Sequence, residues 1–355
     1  HPEVYILILP AMGIVSEILP TFSKKPLFGY STVILAGAII AFMGWLVWSH
    51  HMFTVGLGPI PNAVFTITTM AIAVPTGIKI FNWMFTIWKG SITFSTAMMY
   101  ALGFIVTFTI GGISGVMHAM SASDAQQQDT YFIVAHFHYV LFGGAIMGIF
   151  GGVYYWFPKF AGRMFNEKMG KLQFWLLFIG QNITFFPMHF VGMDGMPRRI
   201  YTYSSEMGWT ALNALETAGS ILVVISVLLF LHNIVKSWRS GEKAPNDPWD
   251  GRTLEWSISS PPPEYNFEEI PEVETVDQWW AKKRGLLGEH APSGVSGEEG
   301  EIHLPQPSFW PLVSAIGVLV GAFGLIYSYP AAIVGLAIMM IGVYSWSFEP
   351  VNDPE

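Results

Sequence analysis

Long stretches without charge are the feature of this chain that most limits its fold. Nine of them approach or exceed the roughly 20 residues that an α-helix needs to cross the hydrocarbon core of a bilayer. Charged residues make up 12% of the 355 residues, and apolar residues make up 52%. The sequence therefore predicts an all-α integral membrane protein, a polytopic helical bundle with about nine transmembrane helices. The predicted spans are residues 1–20, 29–50, 62–87, 95–119, 130–157, 173–193, 210–235, 307–327 and 330–347.

Basic residues occur in alternate connections between these spans. Lys24 with Lys25 follows the first span, and Lys236 with Arg239 follows the seventh, whereas the intervening connections contain only the pair Arg198-Arg199. Basic connections face the cytoplasm. The pattern predicts three parts: core helices in residues 1–237, a cytoplasmic segment rich in Pro and Glu in 238–305, and two further spans with a tail in 306–355.

The net charge of −8 comes mostly from the polar segment, so it indicates little about partners, and we expect no nucleic-acid partner. The chain has no cysteine, which excludes disulfides and thiolate-bound metal. It begins at His1, inside a span already under way, without an initiator Met or a signal peptide. We therefore expect a longer polypeptide with further helices before His1.

His136 and His138 lie in the apolar stretch Tyr131-Phe-Ile-Val-Ala-His-Phe-His-Tyr-Val-Leu141, which is typical of a transmembrane helix. Residues two positions apart point to nearly opposite sides of a helix. The two imidazoles are therefore predicted to bind two different groups, one on each side of the helix. Two structural histidines that are hydrogen-bonded within the bundle are the alternative.

Five histidines are predicted to lie at one depth on the outer side. His1 starts the first span there, and His50 with His51 ends the second. The fifth span begins near residue 130, so His136 and His138 lie about 10 Å below its start at 1.5 Å per residue. Ionisable residues within a bilayer are costly, and imidazole is the usual ligand of copper and of haem iron. We therefore predict a metal centre in this layer.

Three of these histidines suit one copper ion with an open position. Consecutive residues point about 100° apart on a regular helix, so His50 and His51 can reach a single ion only beside a locally distorted helix end. His1 would supply the third imidazole. Tyr5 lies four residues after His1 and shares its face of the helix, so its phenol could supply a proton and an electron there.

Other polar residues in the spans predict proton paths. Glu3 is expected to be a buried carboxyl without a basic partner. Thr76 and Lys79 share one face of the third span toward the cytoplasm, which suggests a path that rises toward Tyr5. For Lys79, the alternative is a side chain that extends to the surface and only anchors a helix end.

Six motifs, in this order and spacing, resemble the catalytic subunit I of haem–copper oxidases over residues 1 to about 270. The resemblance implies a bundle of that type, and the two spans after residue 306 resemble an extended form of the subunit found in some bacteria. The motifs are His1-Pro-Glu-Val-Tyr5, Trp48-Ser-His-His51, Pro75-Thr-Gly-Ile-Lys79, Asp129-Thr-Tyr131, His136-Phe-His138 and Met196-Pro-Arg-Arg199.

The resemblance implies a cofactor for each histidine of the layer. It makes His1, His50 and His51 the ligands of a copper ion, CuB. It makes His136 the axial ligand of a high-spin, oxygen-binding haem (haem a3-like). It makes His138 an axial ligand of a low-spin haem (haem a-like), whose second histidine would lie in an earlier helix outside this chain.

The resemblance also implies roles for the other residues. Tyr5 is similar to the tyrosine that is covalently linked to a copper-binding histidine, here His1. Glu3 would belong to one proton route, and Thr76 with Lys79 to the other. Arg198 and Arg199 are similar to the pair that holds haem propionates.

One position departs from the family pattern. The family usually has a histidine just before Asp-Thr-Tyr that helps to bind a non-redox magnesium ion, and this chain has Gln128 there. Asp129 remains a candidate ligand, but the magnesium site is in doubt.

The resemblance implies a respiratory oxidase of a bacterial cytoplasmic membrane that reduces O2 to water, coupled to proton uptake and pumping across the membrane. Electrons would arrive from the outer side and protons from the cytoplasm. The implied partners are membrane lipid, a subunit II with the electron-entry site (CuA if the donor is cytochrome c), a subunit III, and cytochrome c or a quinol. A quinol oxidase would share every motif. A nitric oxide reductase fits less well, and a non-catalytic haem-binding or transport protein would require a coincidental histidine layer.

Overall fold

The structure is a computed structural model that describes residues 1–267, 270–287 and 307–349. The described residues form two compact units. One comprises residues 1–263 and 273–287, and the other comprises residues 264–267, 270–272 and 307–349. Over the described residues the chain is helical and has no strand, only two isolated bridges, Thr130 with Pro197 and Arg163 with Lys243.

The first unit contains helices α1 to α12 within the described residues. Their bounds are α1 Pro2–Ser23, α2 Tyr30–Met43, α3 Pro59–Ala71, α4 Ala73–Ile87, α5 Thr96–Ala119, α6 Ser121–Gln127, α7 Tyr131–Phe137, α8 Met147–Ala161, α9 Glu167–Phe185, α10 Pro187–Met193, α11 Thr210–Ser240 and α12 Gln278–Lys283. Short 3-10 helices lie at Trp48–Met52, Ser205–Met207 and Leu254–Ser257, and a π-helix lies at His138–Ile146.

The predicted class, an all-α membrane protein, is confirmed. In the described part of the chain, eight helical stretches are long and apolar enough to cross a bilayer. The predicted span 29–50 is wrong in length, because α2 has 14 residues and ends at Met43. At 1.5 Å per residue it covers about 21 Å, less than the roughly 30 Å of a hydrocarbon core.

Prolines interrupt two of the long spans. The stretch Pro59–Ile87 divides into α3 and α4 at Ile72, three residues before Pro75. The stretch Glu167–Met193 divides into α9 and α10 at Phe186, directly before Pro187. Proline lacks an N–H and its ring crowds the preceding turn, so the helical hydrogen bonds are interrupted at these points.

A π-helix continues α7 and leads into α8. At this segment an added Cβ on Gly143 would lie 2.8 Å from the Thr107 Cβ, so α5 approaches the backbone closely. The Thr107 hydroxyl donates to the carbonyl oxygens of Gly143 (2.5 Å) and Gly103 (2.7 Å). The wider turn starts at His138, and such turns occur frequently at functional sites.

Residues after α11 pack against the end of the first unit at which α11 ends. Trp256 is fully buried and donates from its indole N–H to the Tyr155 hydroxyl at 3.0 Å. Trp249 donates to the Tyr155 carbonyl oxygen at 2.8 Å. Lys159 donates to three carbonyl oxygens of the same segment, those of Asn246, Ile258 and Ser259. Residues 244–263 are therefore held to the helices by specific contacts.

A charge cluster ties α12 to this segment. Lys283 donates to the carboxylates of Asp247 (2.6 Å) and Asp250 (2.8 Å). Burial opposes ionisation of Asp250, but its hydrogen bond with Lys283 and the Lys283 charge act more strongly in the other direction. Together with the charges of Lys24 and Arg284, they hold the pKa of this carboxyl below its ordinary value.

The second unit contains the helical hairpin α13 (Trp310–Tyr327) and α14 (Tyr329–Ser347). Small residues allow the two backbones to touch: an added Cβ on Gly335 would lie 2.1 Å from the Gly321 backbone nitrogen. Residues 307–348 contain no charged side chain. Close packing at glycine is a common way for transmembrane helices to associate.

We expect Trp256→Ala to destabilise the end of the first unit at which α11 ends. Removal of a fully buried Trp costs about 3–5 kcal/mol. Trp256→Phe keeps the ring volume nearly intact and loses one hydrogen bond, at a cost of about 1 kcal/mol. Thermal unfolding of the purified protein should therefore rank wild type, then Trp256→Phe, then Trp256→Ala. Equal midpoints for all three would show that this segment does not contribute to stability.

Candidate metal centre

Three histidine side chains converge beside the start of α1. His1 comes directly before α1, and His50 and His51 lie in the 3-10 helix Trp48–Met52. Their ligand nitrogens all lie within 4.8 Å of one another. Among the described residues this is the one group of three or more such side chains placed to hold a metal ion. The regular helix ends before His50, which is how two consecutive imidazoles reach the same point.

The nitrogen positions suit a single ion. The His51 Nε2 lies 3.2 Å from the His1 Nδ1 and 3.2 Å from the His50 Nε2. Two nitrogens that bind one ion at about 2.0 Å with tetrahedral angles lie about 3.3 Å apart. The His50 Nδ1 is 3.1 Å from the Thr69 hydroxyl, which orients that ring. Three imidazoles with an open position are suitable ligands for copper.

Tyr5 packs directly against His1. The two ring centroids are 4.8 Å apart in an edge-to-face arrangement. An added Cβ on Gly44 would lie 2.6 Å from the Tyr5 Cδ2, so a glycine just after α2 is needed to leave room for the phenol. The spacing of four residues predicted from the sequence does bring the two side chains together.

His136 points toward α5. Its Nδ1 lies 3.0 Å from the Gly111 carbonyl oxygen and 2.9 Å from the Ser114 hydroxyl. A carbonyl oxygen can only accept, so Nδ1 carries the proton and Nε2 of the neutral ring is left free to bind a metal. An added Cβ on Gly115 would lie 3.1 Å from the His136 Cε1, so the backbone of α5 closes on the ring.

His138 points toward α9, on the other side of the same segment. Its ring stacks on Phe185 with a centroid distance of 4.1 Å and an interplanar angle of 16°. Its Nδ1 donates to the Val134 carbonyl oxygen at 2.8 Å, which again leaves Nε2 free. The structure therefore places the two imidazoles against different helices.

Lys79 and Thr76 lie on α4. Lys79 is only 6% exposed, which argues against a side chain that extends to the surface. Its Nζ lies 5.7 Å from the Trp83 ring centroid, and the Trp83 indole N–H donates to the Ser16 hydroxyl at 2.9 Å. Thr76 donates to the Ile72 carbonyl oxygen at 2.8 Å. The sequence did not indicate the connection through Trp83 to Ser16.

Glu3 is exposed in this chain, so the expectation of a buried carboxyl is wrong for the chain by itself. The residue lies in the first turn of α1, and on the helix it is displaced from the face that carries His1 and Tyr5. No helix of the described residues covers that side of the turn closely enough to bury it.

Arg198, which is predicted to hold a haem propionate, and Asp129, which is predicted as a magnesium ligand, contact each other in the structure. Asp129 forms an ion pair with Arg198, and its carbonyl oxygen accepts from the Arg198 backbone N–H at 2.9 Å. Arg199 is exposed. The Gln128 Oε1 is buried without a hydrogen-bond partner in the described residues. Asp129 does not belong to a group of three metal-ligating side chains in the described part of the chain.

A buried pair near His136 was not predicted. The His118 Nδ1 lies 3.1 Å from the Asp124 Oδ1, and the His118 ring centroid is 4.9 Å from that of His136. In the sequence, His118 at the end of the predicted span 95–119 is the signal from which this neighbour of His136 could have been found. The glycines at 111 and 115 indicated a close helix approach in the same span.

These features agree with comparisons to known proteins. Residues 1–225 match the family described as Cytochrome C and Quinol oxidase polypeptide I, and the chain belongs to this family. It is 52% identical to cytochrome c oxidase subunit 1 of Bacillus sp. (strain PS3), over 96% of this chain and 56% of that protein. It is 45% identical to quinol oxidase subunit 1 of Bacillus subtilis (strain 168), over 99% of this chain and 54% of that protein.

The fold has a solved counterpart. A structure described as a heme-copper terminal oxidase dimer aligns with a TM-score of 0.62 and 21% identity, over 68% of this chain and 48% of that one. This likeness concerns the fold alone. The chain spans about half the length of the curated relatives it matches. Membership of the family implies haem and copper cofactors.

We expect Gly115→Val to displace His136, because the added Cβ and methyl groups would meet the imidazole at about 3 Å. Gly112→Val is the matched control on the same helix, since nothing lies within 4 Å of a Cβ added at Gly112. Optical spectra of the purified complex with carbon monoxide should lose the signal of the haem bound at His136 only in Gly115→Val. Identical spectra for both variants would contradict this placement of His136.

Proposed function

We propose that this chain is part of a terminal respiratory oxidase that reduces O2 to water beside His1, His50, His51 and His136. The observation that carries the proposal is the convergence of three imidazoles at one point. A fourth imidazole, His136, has its free Nε2 fixed by a hydrogen bond to the helix backbone. When bound, CuB and a haem iron (haem a3-like) supply the electrons and the site at which O2 is reduced.

The segment with His136 and His138 would separate two haems. His136 faces α5 and His138 faces α9, and in both rings Nδ1 is bonded to a backbone carbonyl oxygen. Each free Nε2 is thus held in a fixed direction, with little freedom to lose on binding iron. Phe185, stacked on His138, would lie against the low-spin haem (haem a-like) and exclude water from that side.

Tyr5 is suited to deliver a proton at this centre. Its phenol lies on the face of α1 that carries His1, and Gly44 fixes its ring in place. A phenol can give both a proton and an electron, which a copper-binding imidazole by itself cannot. The covalent link between Tyr5 and His1 that the family suggests belongs to this same contact.

Proton uptake would use Lys79 and Glu3. Lys79 is buried in the unit, and its ammonium lies against the Trp83 ring. The Trp83 indole donates to the Ser16 hydroxyl, so these two contacts join α4 to α1. Thr76 lies one turn from Lys79 on the same face, toward the outer side. Glu3, on the exposed side of the first turn, would serve the second route. An ionisable residue inside a membrane protein is by default a functional one.

Arg198 and Arg199 would hold the haem propionates at the outer side. The Arg198 Nε is buried and has no hydrogen-bond partner in the described residues, so it can still donate to an anion while Nη2 is paired with Asp129. Because Asp129 is engaged in this way and Gln128 replaces the histidine, we propose a propionate site here rather than a complete magnesium site.

The electron donor defines the second candidate function. Cytochrome c oxidases and quinol oxidases are both among the relatives, at 52% and 45% identity. We favour cytochrome c, delivered through a subunit II that carries CuA, with a subunit III in the assembly. A quinol oxidase with the same O2 chemistry is the alternative. The bacterial relatives support a location in the bacterial cytoplasmic membrane.

Oxygen consumption by the purified complex that contains this chain tests the proposal and the choice of donor. Reduced cytochrome c and a reduced quinol are supplied separately, and O2 uptake and peroxide release are measured. We expect uptake with cytochrome c and no release of peroxide. Uptake only with the quinol would replace the first candidate by the second, and no uptake with either donor would contradict both.

We expect Lys79→Met and Glu3→Gln to slow O2 consumption by about 100-fold, because a positioned proton-transfer group contributes about that factor. The optical spectra of both haems should stay close to those of the wild type. Lys89→Met, which removes a lysine after α4 outside the helix, is the control and should keep full activity. Lost haem spectra in Lys79→Met or Glu3→Gln would show a structural role instead.

A further inference from the structure

Glu216 is a buried carboxyl that the proposed oxidase chemistry does not use. It lies in α11, is 5% exposed, and its Oε1 is buried without a hydrogen-bond partner in the described residues. α11 is also the most hydrophobic of the long apolar stretches in the described chain. An acidic residue at such a position is costly unless it carries a proton or a function.

The position of Glu216 along α11 is on the outer side. It lies six residues after Thr210, the first residue of the helix, and therefore about 9 Å into the span. The connection before α11 contains the pair Arg198-Arg199. In the predicted topology this connection lies on the outer side. Glu216 therefore belongs to the outer half of the bundle.

The neighbours of Glu216 on α11 define what surrounds it. Asn213, one turn earlier, donates to the Met196 sulfur at 3.4 Å. Gly219, one turn later, meets α9, since an added Cβ there would lie 2.6 Å from the Thr184 Oγ1. Residues three apart share a helix face. Glu216 thus lies between an outer cluster that includes Met196 and the close crossing of α9 with α11.

No ion pair with a basic side chain forms at Glu216 in the part of the chain that the structure describes. The titratable groups near this place are phenols: Tyr131, at the start of α7, and Tyr203 pack against the outer cluster that contains Met196. His189, on α10, packs its ring against Phe132 and Tyr139 instead. A carboxylate without a cation in such surroundings is strongly disfavoured relative to the neutral acid.

We propose that Glu216 is a proton-holding site in the outer half of the bundle, a neutral carboxylic acid that exchanges its proton with the outer face past Tyr131. Tyr131 is partly exposed, and it packs against the outer cluster with Met196, which Asn213 of α11 contacts. The exchange toward the outside rests on the proposed oxidase function with the proton pumping that the family resemblance implies, because O2 reduction by itself consumes protons. The protonated state of the carboxyl does not rest on it.

A purely structural role makes a different prediction. A glutamic acid could serve only as a polar contact between helices, in which case an isosteric amide would replace it without consequence for protons. Glu216→Gln therefore separates the two roles. Glu206→Gln, at an exposed acid in the 3-10 helix Ser205–Met207 before α11, is the matched control.

Infrared spectroscopy of the purified complex tests the protonated state at mildly acidic pH in H2O and in D2O. We expect a carbonyl band of a neutral carboxylic acid that shifts in D2O, is lost in Glu216→Gln, and remains in Glu206→Gln. Glu216→Asp should retain the band at a shifted frequency. This variant takes the place of Glu216→Gln in the test if the amide variant does not assemble. A spectrum unchanged by Glu216→Gln would overturn the proposal.

Proton release from vesicles with the reconstituted complex tests the exchange. Glu216→Gln should lose proton release to the outside while it continues to consume O2, and Glu206→Gln should behave as wild type. Normal release in Glu216→Gln would overturn the exchange even if the infrared band is lost. A wild-type complex that consumes no O2 would contradict the oxidase function, and the infrared result would still decide the protonated state of Glu216.

Discussion

The hydrogen bond from the His136 Nδ1 to the Gly111 carbonyl oxygen is the interaction on which the rest of the site depends. It can form because α5 has glycines at 111 and 115, where its backbone approaches α7 and the following π-helix. The bond fixes which nitrogen of the ring is free and where it points. With His136 turned toward α5, His138 is directed to the opposite side, against Phe185.

The chain combines this rigid segment with ligands on irregular backbone. His50 and His51 reach one point because α2 ends early and a 3-10 helix follows, and Gly44 leaves the room that Tyr5 needs. Irregular backbone at membrane depth is tolerated only where protein or a cavity surrounds it. The irregular backbone after α2 is thus explained by what it has to present, the imidazoles of His50 and His51 beside that of His1.

The convergence of His1, His50 and His51 and the helical class could be predicted from spacing and apolar length, because both depend on helix geometry. The residue at which α2 ends could not be predicted, because it depends on the contact between Gly44 and the Tyr5 ring, and these two residues are distant in sequence. The pair of His118 with Asp124 and the ion pair of Arg198 with Asp129 also depend on tertiary packing. The exposure of Glu3 differs from the expectation because burial is set by neighbouring helices, not by the residue's own span.

The central claim is that His1, His50 and His51 hold one copper ion next to the haem bound at His136. The copper and haem contents of the purified complex, in wild type and in His50→Ala, test it most directly. The account predicts that the variant loses one copper per chain and keeps both haems. A copper content equal to that of the wild type would contradict the account, as would a wild-type complex without copper.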